Sequence, residues 1–359
     1  MKVLTVLGAR PQFIKAAPVS RVLRQAHEEF LVHTGQHYDD AMSDLFFRQL
    51  AIPRPDVNLG IGSGGHGAQT GAMLAGIEAI ALEQKPDRLL VYGDTNSTLA
   101  GALAGAKLHI PIAHVEAGLR SYDRRMPEEI NRVVADHLSD LLLCPTETAV
   151  ANLAREGITE GVKVVGDVML DAFRDNLDRA RTTCTVLADL GLQRNEYQLL
   201  TAHRAENVDE PEVLARILRG AGDSGRMVLF PTHPRTRKTM HDAGLQAAPN
   251  VRLIEPVGYL EMLVLEDGAE AIVTDSGGVQ KEAYFAGRPC ITLRERTEWT
   301  ETVEAGWNVL VGTDPEAIAH AMRIFRPHGP RPDLFGDAHA ASRIVDCLAG
   351  NNMSTDWTR

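Results

Sequence analysis

Cysteine is scarce and scattered in this chain. Four are spread over 359 residues, at Cys144, Cys184, Cys290 and Cys347, and no C-x-x-C occurs, so neither a zinc knuckle nor a disulfide framework is indicated. Long apolar runs are missing as well: none approaches the roughly 20 residues a membrane-spanning helix requires. The opening Met1-Lys2-Val3-Leu4-Thr5-Val6-Leu7-Gly8 lacks the apolar region and cleavage site of a signal peptide and reads as a first strand, so a cytoplasmic protein is expected. Positive charge is in deficit. With 37 Lys and Arg against 48 Asp and Glu, the formal net charge is −11, which argues against a partner that is nucleic acid or an anionic membrane. If the ligand is itself anionic, cations must be gathered locally.

Several motifs are absent too. There is no G-x-x-x-x-G-K-[ST] phosphate loop and no G-x-S-x-G elbow, so kinase, ATPase and serine-hydrolase readings fall away. Gly60-Ile61-Gly62-Ser63-Gly64-Gly65 fits G-x-G-x-x-G, but it follows Pro53-Arg54-Pro55-Asp56 and not a buried strand. A flexible loop is expected there in place of a dinucleotide fingerprint. His33 and His37 suggest a metal pair, yet Thr34-Gly35-Gln36 between them reads as a loop and no acidic partner follows. No metal is assigned.

What the chain does have is ample apolar material, 44% of its residues, and a length that favours two domains of roughly 150 residues each. Short strand-like runs alternate with helical segments. Lys2–Leu7, Phe30–His33, Arg88–Tyr92, Ile112–Val115, Leu141–Cys144 and Val162–Val165 read as strands, with Phe13–Ala26, Gln69–Lys85 and Ser97–Leu108 as helices between them. A helical stretch, Asp171–Thr183, follows, and the pattern restarts with strands at Gln198–Thr201, Met227–Phe230, Val251–Ile254, Ala271–Thr274 and Pro289–Thr292. Such alternation predicts α/β architecture, parallel sheets with helices on both faces. The predicted domains are 1–168 and 169–336, with a C-terminal helix over 337–350 packing back on the first. Ligands of open parallel sheets bind at the carboxyl ends of strands, and nearly every polar cluster here falls at such an end. Two rims facing each other across a cleft would make one active site.

The most informative cluster is His114-Val115-Glu116-Ala117-Gly118-Leu119-Arg120, with Pro127-Glu128-Glu129-Ile130-Asn131-Arg132 shortly after. Glu116 falls where a buried strand hands over to a loop. Pro127 suits the first position of a helix, acidic residues there favour its dipole, and Glu128 and Arg132 lie four apart on one face. Two carboxylates at a sheet rim, one backed by a guanidinium, suit proton chemistry; a helix cap plus a surface ion pair is the plainer alternative. Asp275-Ser276-Gly277-Gly278-Val279-Gln280-Lys281-Glu282 joins a strand to a helix whose N-terminus offers N–H groups to an anion, with Glu282 one turn in, placed to accept from ribose hydroxyls. Arg10 and Lys15 flank the first helix; a lysine so early opposes the dipole unless an anion sits nearby. His203 and Arg204 at a strand end can neutralise a leaving phosphate and give it a proton.

Six co-linear motifs resemble those of the non-hydrolysing UDP-N-acetylglucosamine 2-epimerases. They are Gly8-x-Arg10-Pro11-x-x-Ile14-Lys15-x-x-Pro18, Gly93-Asp94-Thr95, His114-x-Glu116-Ala117-Gly118-Leu119-Arg120, Pro127-Glu128-Glu129-x-Asn131-Arg132, His203-Arg204 and Asp275-Ser276-Gly277-Gly278-x-Gln280. The resemblance implies a fold of glycosyltransferase-B type, two doubly wound Rossmann-like domains with the active site in the cleft between them. It implies a homodimer that serves polysaccharide biosynthesis and takes a UDP-sugar and UDP, with no metal, nicotinamide or other cofactor. The implied reaction inverts C2 by eliminating UDP to a 2-acetamidoglucal and adding it back. Asp94, Glu116 and Glu128 would handle protons, Arg132 would orient Glu128, and His203 would assist the β-phosphate. Arg10, Lys15, Ser276, Gly277, Gly278 and Glu282 would hold the UDP.

Two departures stand out. Many members carry Arg-Arg-Glu after the histidine, and the second arginine helps bind an allosteric substrate molecule; here the run is His203-Arg204-Ala205-Glu206. Many also have Thr-Glu-Arg-Pro-Glu where this chain has Thr297-Glu298-Trp299-Thr300-Glu301. The tryptophan, His33-Thr34-Gly35-Gln36-His37 and Gly65-His66-Gly67 are similar to a sister branch, some of whose members epimerise UDP-2,3-diacetamido-2,3-dideoxyglucuronate. A glycosyltransferase of the same fold and a non-catalytic nucleotide-sugar sensor are the readings from other classes. The first would need an acceptor groove, and the acidic residues Asp94, Glu116 and Glu128 argue against both.

Overall fold

The computed structural model describes residues 1–36 and 52–350; His37 lies outside them. The chain divides into two compact units, Met1–Ala172 together with the C-terminal segment from Phe335, and Phe173–Leu334. In the first unit seven strands, β1 (Lys2–Leu7), β2 (Glu28–His33), β3 (Val57–Asn58), β4 (Arg88–Tyr92), β5 (Ile112–Val115), β6 (Leu141–Cys144) and β7 (Val162–Val164), form one parallel sheet. Their order is β3-β2-β1-β4-β5-β6-β7. The connecting helices are α1 (Arg10–Ala26), α2 (His66–Gln84), α3 (Asn96–Lys107), α4 (Pro127–Leu138) and α5 (Glu147–Arg155), and α6 (Val168–Thr183) leads into the second unit.

That second unit repeats the plan with β8 (Gln198–Thr201), β9 (Val228–Pro231), β10 (Val251–Ile254), β11 (Ala271–Thr274), β12 (Cys290–Thr292) and β13 (Asn308–Leu310), in the order β10-β9-β8-β11-β12-β13. Its helices are α7 (Val186–Asp189), α8 (Ala205–Val208), α9 (Pro211–Asp223), α10 (Pro234–Asp242), α11 (Tyr259–Gly268), α12 (Gly277–Phe285), α13 (Thr300–Glu304) and α14 (Pro315–Ile324); the final helix, α15 (Ala340–Leu348), belongs to the first unit.

Helices on both faces bury the strands completely, so β1, β4, β5 and β6 in the first unit and β8 and β11 in the second read as continuous apolar runs and not as alternating ones. Leu4, Val6, Leu89, Val91 and Ile112 meet Met73 and Ile77 of α2 and Ala100 and Ala104 of α3. Leu200, Val228, Phe230 and Val273 meet Leu214 and Ile217 of α9 and Ile318 and Met322 of α14. Strand order reverses between β1 and β4, and again between β8 and β11. Each reversal opens a crevice at the carboxyl ends of those strands, where loops diverge. The loops and helix starts there carry Gly8–Lys15 and Gly93–Asn96 in one unit, and Ala202–Arg204 and Asp275–Gly278 in the other.

β3 (two residues) and β13 (three, only partly buried beyond Asn308) are not anticipated from the sequence: neither stands out as a buried apolar run. The Gly60–Gly65 run is a loop, as expected, and leads into α2. The strand before it is the short edge strand β3, and a Cβ added at Gly60, Gly62, Gly64 or Gly65 would meet nothing. No close backbone approach requires those glycines. Among the described residues no helix is long and apolar enough to cross a membrane, and all four cysteines are free.

α15 packs against α1, and its N-terminus is capped by another element: Ala340 and Ala341 donate their N–H groups to the Asp171 carboxylate of α6, at 3.2 and 2.9 Å. Burial pushes the Asp171 carboxyl up to about 6, against the pull of those two N–H groups, and Asp167 adds to the rise. Between about pH 4 and 6 the native state therefore holds a proton that the unfolded chain gives up, so this group's contribution to stability falls as pH rises through that window. Asp171→Asn, which keeps the shape without the charge, should gain as much as about 3 kcal/mol on the wild type between about pH 4 and pH 7. Urea denaturation of both proteins at the two pH values measures it; a difference independent of pH would show that Asp171 titrates as it does in the unfolded chain.

Candidate active site

In the first unit the rim is built where β1, β4 and β5 end. Gln12, in the first turn of α1, accepts from the N–H groups of Gly8 and Ala9 at 2.8 and 3.0 Å and donates to the Tyr92 carbonyl at 2.8 Å. One buried amide thus ties the loop after β1 to the end of β4. Gly93 then turns the chain with φ +61°, a left-handed conformation that favours glycine, and a side chain there would press on Glu116 Oε2 and Lys15 Nζ at 3.3 and 3.5 Å. The space is kept for that pair. Lys15 donates to Glu116 within a largely buried ion pair, so one anion that offsets an awkwardly early lysine is a protein carboxylate. Glu116 itself has φ +68°, uncommon for a residue with a side chain and a form of strain that concentrates at functional sites.

Asp94 follows Gly93. Its carboxylate accepts from Arg132 Nη2 at 2.5 Å, and its backbone carbonyl accepts from Asn131 Nδ2 at 2.9 Å. Here the i,i+4 expectation is corrected. Arg132 pairs with Glu129 three residues earlier, Nη1 to Oε2 at 2.8 Å, and with Asp94, whereas Glu128 is exposed and in no ion pair among the described residues. The reason is helical phase: Glu129 points into the unit, where it also accepts from Ser121 N and Oγ and Tyr122 N, and its neighbour points out. Pro127 does occupy the first turn of α4, with Glu128 and Glu129 following. Arg132 is therefore a clamp on Asp94. His33 is structural in character: its Nδ1 accepts from Gly35 N at 2.6 Å, it lies against Phe13 at 4.7 Å between ring centroids, and burial lowers its pKa to about 4. Among the described residues no group of His, Cys, Asp and Glu could hold a metal ion.

In the second unit the centre is Asp275, at the end of β11 and fully buried. It accepts from the N–H groups of His203 and Arg204, the latter at 3.0 Å, and from Asn207 Nδ2 at 2.9 Å. Its Oδ1 also lies 3.1 Å from His203 Nδ1. Burial opposes its charge, but the bonds from His203, Asn207 and Arg204 outweigh it and hold the carboxyl below the usual aspartate range. A histidine that donates Nδ1–H to a buried carboxylate presents Nε2 outward, oriented for proton transfer, and the His203 side chain is well exposed. Ser276 caps α12, its Oγ accepting from Val279 N. Gly277 and Gly278 open that helix with N–H groups unused by the helix itself. A Cβ at Gly277 would collide with Glu298 Oε1 at 2.4 Å. Glu282 is buried and accepts from Tyr259 Oη at 3.2 Å.

Trp299 is buried, and Lys281 Nζ lies over its ring, 4.2 Å from the centroid. The segment around it is fixed by Thr297, which donates to Gln280 Oε1 at 2.7 Å and accepts from Trp299 N at 3.1 Å. Each unit thus gathers its own share of the expected residues: Lys15, Asp94, Glu116 and Arg132 in the first, His203, Ser276, Gly277, Gly278 and Glu282 in the second. Arg10 opens α1 and is exposed. Sequence reasoning missed Gln12, Glu129, Asn207 and the holding role of Asp275. Of these, Asp275 had a signal, a lone acid at the end of an apolar run.

Comparison with known proteins is consistent with this geometry. Residues 21–349 match the protein family described as UDP-N-acetylglucosamine 2-epimerase. A UDP-N-acetylglucosamine 2-epimerase homolog of Methanococcus maripaludis is 53% identical over 97% of this chain and 99% of its own. The UDP-2,3-diacetamido-2,3-dideoxy-D-glucuronate 2-epimerase of Pseudomonas aeruginosa is 49% identical over the same shares. The crystal structure of Methanocaldococcus jannaschii UDP-GlcNAc 2-epimerase with UDP-GlcNAc and UDP superposes with a TM-score of 0.88 at 47% identity, over 98% of this chain and 100% of that one. Similarity of this depth over nearly the whole length of both partners leaves one assignment: the chain belongs to the UDP-N-acetylglucosamine 2-epimerase family and is a carbohydrate epimerase.

Proposed function

We propose that this enzyme converts UDP-N-acetylglucosamine to UDP-N-acetylmannosamine by elimination and re-addition of UDP. The observation that carries the reading is the set of three carboxylates at one rim in three electrostatic settings: Glu116 paired with Lys15, Asp94 clamped by Arg132, and Glu128 exposed and outside any ion pair among the described residues. The three carboxylates thus differ in partner and exposure, as acid–base work on two faces of a carbon demands. A carboxylate takes the proton from C2 as the C1–O bond breaks and its electrons leave with the β-phosphate. UDP then adds back across the double bond while a proton is delivered to C2 from the opposite face. His203, oriented by Asp275, meets the charge on the departing phosphate. The Ser276-Gly277-Gly278 helix start, Glu282, Arg10 and Lys15 hold UDP. The enzyme works as a cytoplasmic homodimer that supplies sugar nucleotides for polysaccharide synthesis. The Pseudomonas relative, 49% identical, makes the diacetamido-glucuronate the second substrate to test, and product identity by NMR from a panel of UDP-sugars decides between them.

Turnover in D₂O should place one deuterium at C2 of the product, because no hydride acceptor takes part. Product that retains only protium at C2 would rule out solvent exchange and the role given to the carboxylates.

Glu116→Gln and Glu128→Gln should each lower turnover by at least about 100-fold, the range typical of positioned acid–base groups; UDP affinity should change far less, since the nucleotide is assigned mainly to the second unit and Lys15, released by Glu116→Gln, is one contact among several. Calorimetry that finds UDP affinity lost as severely as turnover would reassign that residue to binding.

Ala205 supplies no guanidinium beside Arg204, and the neighbouring arginines are engaged: Arg204 with the Asp275 carbonyl, Arg235 with Asp209 and Arg237 with Glu255. A charge-assisted contact to phosphate is worth roughly 1.5–3 kcal/mol, one to two orders of magnitude in affinity. Reactions started from pure epimerised product should therefore show no lag. A long lag that a trace of forward substrate abolishes would show substrate activation intact.

A further inference from the structure

His114 sits in β5, two residues before Glu116, and is fully buried. Its Nδ1 lies 2.7 Å from Asp136 Oδ1 and its Nε2 lies 2.7 Å from the Gly93 carbonyl. A carbonyl can only accept, and so can an ionised carboxylate. A neutral imidazole carries one N–H and would set its other nitrogen's lone pair against an oxygen lone pair at contact distance. A protonated Asp136 that donates to Nδ1, with Nε2 donating to the carbonyl, would also relieve this, but it is disfavoured. Asp136 Oδ2 accepts from Arg120 Nη1 at 2.7 Å and from Gly118 N at 3.1 Å, and those donors favour the carboxylate. Burial opposes its charge, yet His114 and Arg120 together hold the Asp136 carboxyl below its ordinary range.

The other groups around the pair agree. Arg120 is also held bidentately by Glu156, at 2.7 and 2.8 Å. Glu156 is partly exposed and also faces His137 of α4, whose Nδ1 lies 3.9 Å from its Oε2, so Arg120 remains available to Asp136. Cys144 of β6 is buried and its thiol is pushed up by burial and by Asp136, so it stays neutral. Lys15 and Glu116, beyond Gly93, form a pair of their own.

The bonds of this cluster reach two of the three proposed carboxylates, Asp94 and Glu116, through the backbone. His114 holds the carbonyl of Gly93, which precedes Asp94; Gly93 N donates to the Val115 carbonyl at 3.0 Å, which precedes Glu116; and Asp136 holds Gly118 N, two residues after Glu116. We propose that His114 is a positioning residue that works as a buried imidazolium, donating from both ring nitrogens to fix the two strand ends that carry Asp94 and Glu116. Its effect on turnover rests on the epimerase reading; its charge does not.

The test uses the full-length enzyme labelled with ¹⁵N-histidine. At about pH 8, where an unperturbed histidine with pKa about 6.5 is neutral, the His114 ring should show two protonated nitrogens. Its signal is the one lost in His114→Gln and the one shifted in Asp136→Asn, so a variant that fails to fold does not end the experiment. A neutral tautomer at that pH would overturn the proposal whether or not the protein turns over a UDP-sugar. In Asp136→Asn the imidazolium should lose its proton at lower pH. Turnover should fall at least about tenfold through misplacement of the carboxylates, its alkaline limb should move to lower pH by the same interval, and UDP affinity should stay within about twofold. Turnover with an unmoved alkaline limb would mean that the charge on His114 does not set the site.

Discussion

The rim of the first unit depends on how two adjacent parallel strands end. β4 and β5 run side by side, with Tyr92 opposite Val115, and each gives way at once to a residue with positive φ, Gly93 and Glu116. Parallel strands deliver their loops to the same edge, so Asp94 and Glu116 emerge at one rim. The left-handed turns would be costly in isolation, on the order of 1–3 kcal/mol for the non-glycine one. They persist because Gly93 N, the Gly93 carbonyl and Gly118 N are each held by a buried partner. Conformational strain at these two strand ends is offset by hydrogen bonds behind them, out of reach of solvent.

The second unit uses the same constraint with different residues. Thr201 and Thr274 are paired in register at the ends of β8 and β11, their hydroxyls 2.6 Å apart. Asp275, the next residue, turns inward and collects the loop after β8 by its N–H groups. In the first unit a cation and carboxylate behind the rim fix it. In the second a single carboxylate does so, and in doing so it orients His203.

Where pairing is concerned, helical phase decides more than spacing does. Glu128 and Arg132 have the spacing of an ion pair, and so do Glu129 and Arg132. Which is made depends on which acid faces inward, and that follows from the loop at Ser121 and Tyr122, whose N–H groups need an acceptor. The same dependence on a distant partner makes Gln12 and Asn207 supports of the rims: nothing next to them in the chain shows that the Gln12 amide ties the loop after β1 to the end of β4 or that the Asn207 amide donates to Asp275.

The sequence by itself determined the class of the fold, the alternation of strand and helix, the restart in a second unit, and the strand-end location of Asp94, Glu116, His203 and the Ser276-Gly277-Gly278 turn. These are consequences of local rules: apolar runs long enough to be buried strands, a proline at the start of α4, a capped glycine turn. The motifs spanning the chain carried the family. Tertiary structure alone decided which carboxylate Arg132 clamps, that Lys15 answers Glu116, that Asp275 supports His203, and that Asp171 caps a helix 169 residues later. The physical reason is that a buried polar group must find a partner wherever the fold brings one within about 3 Å, and the sequence places no bound on how far along the chain that partner lies.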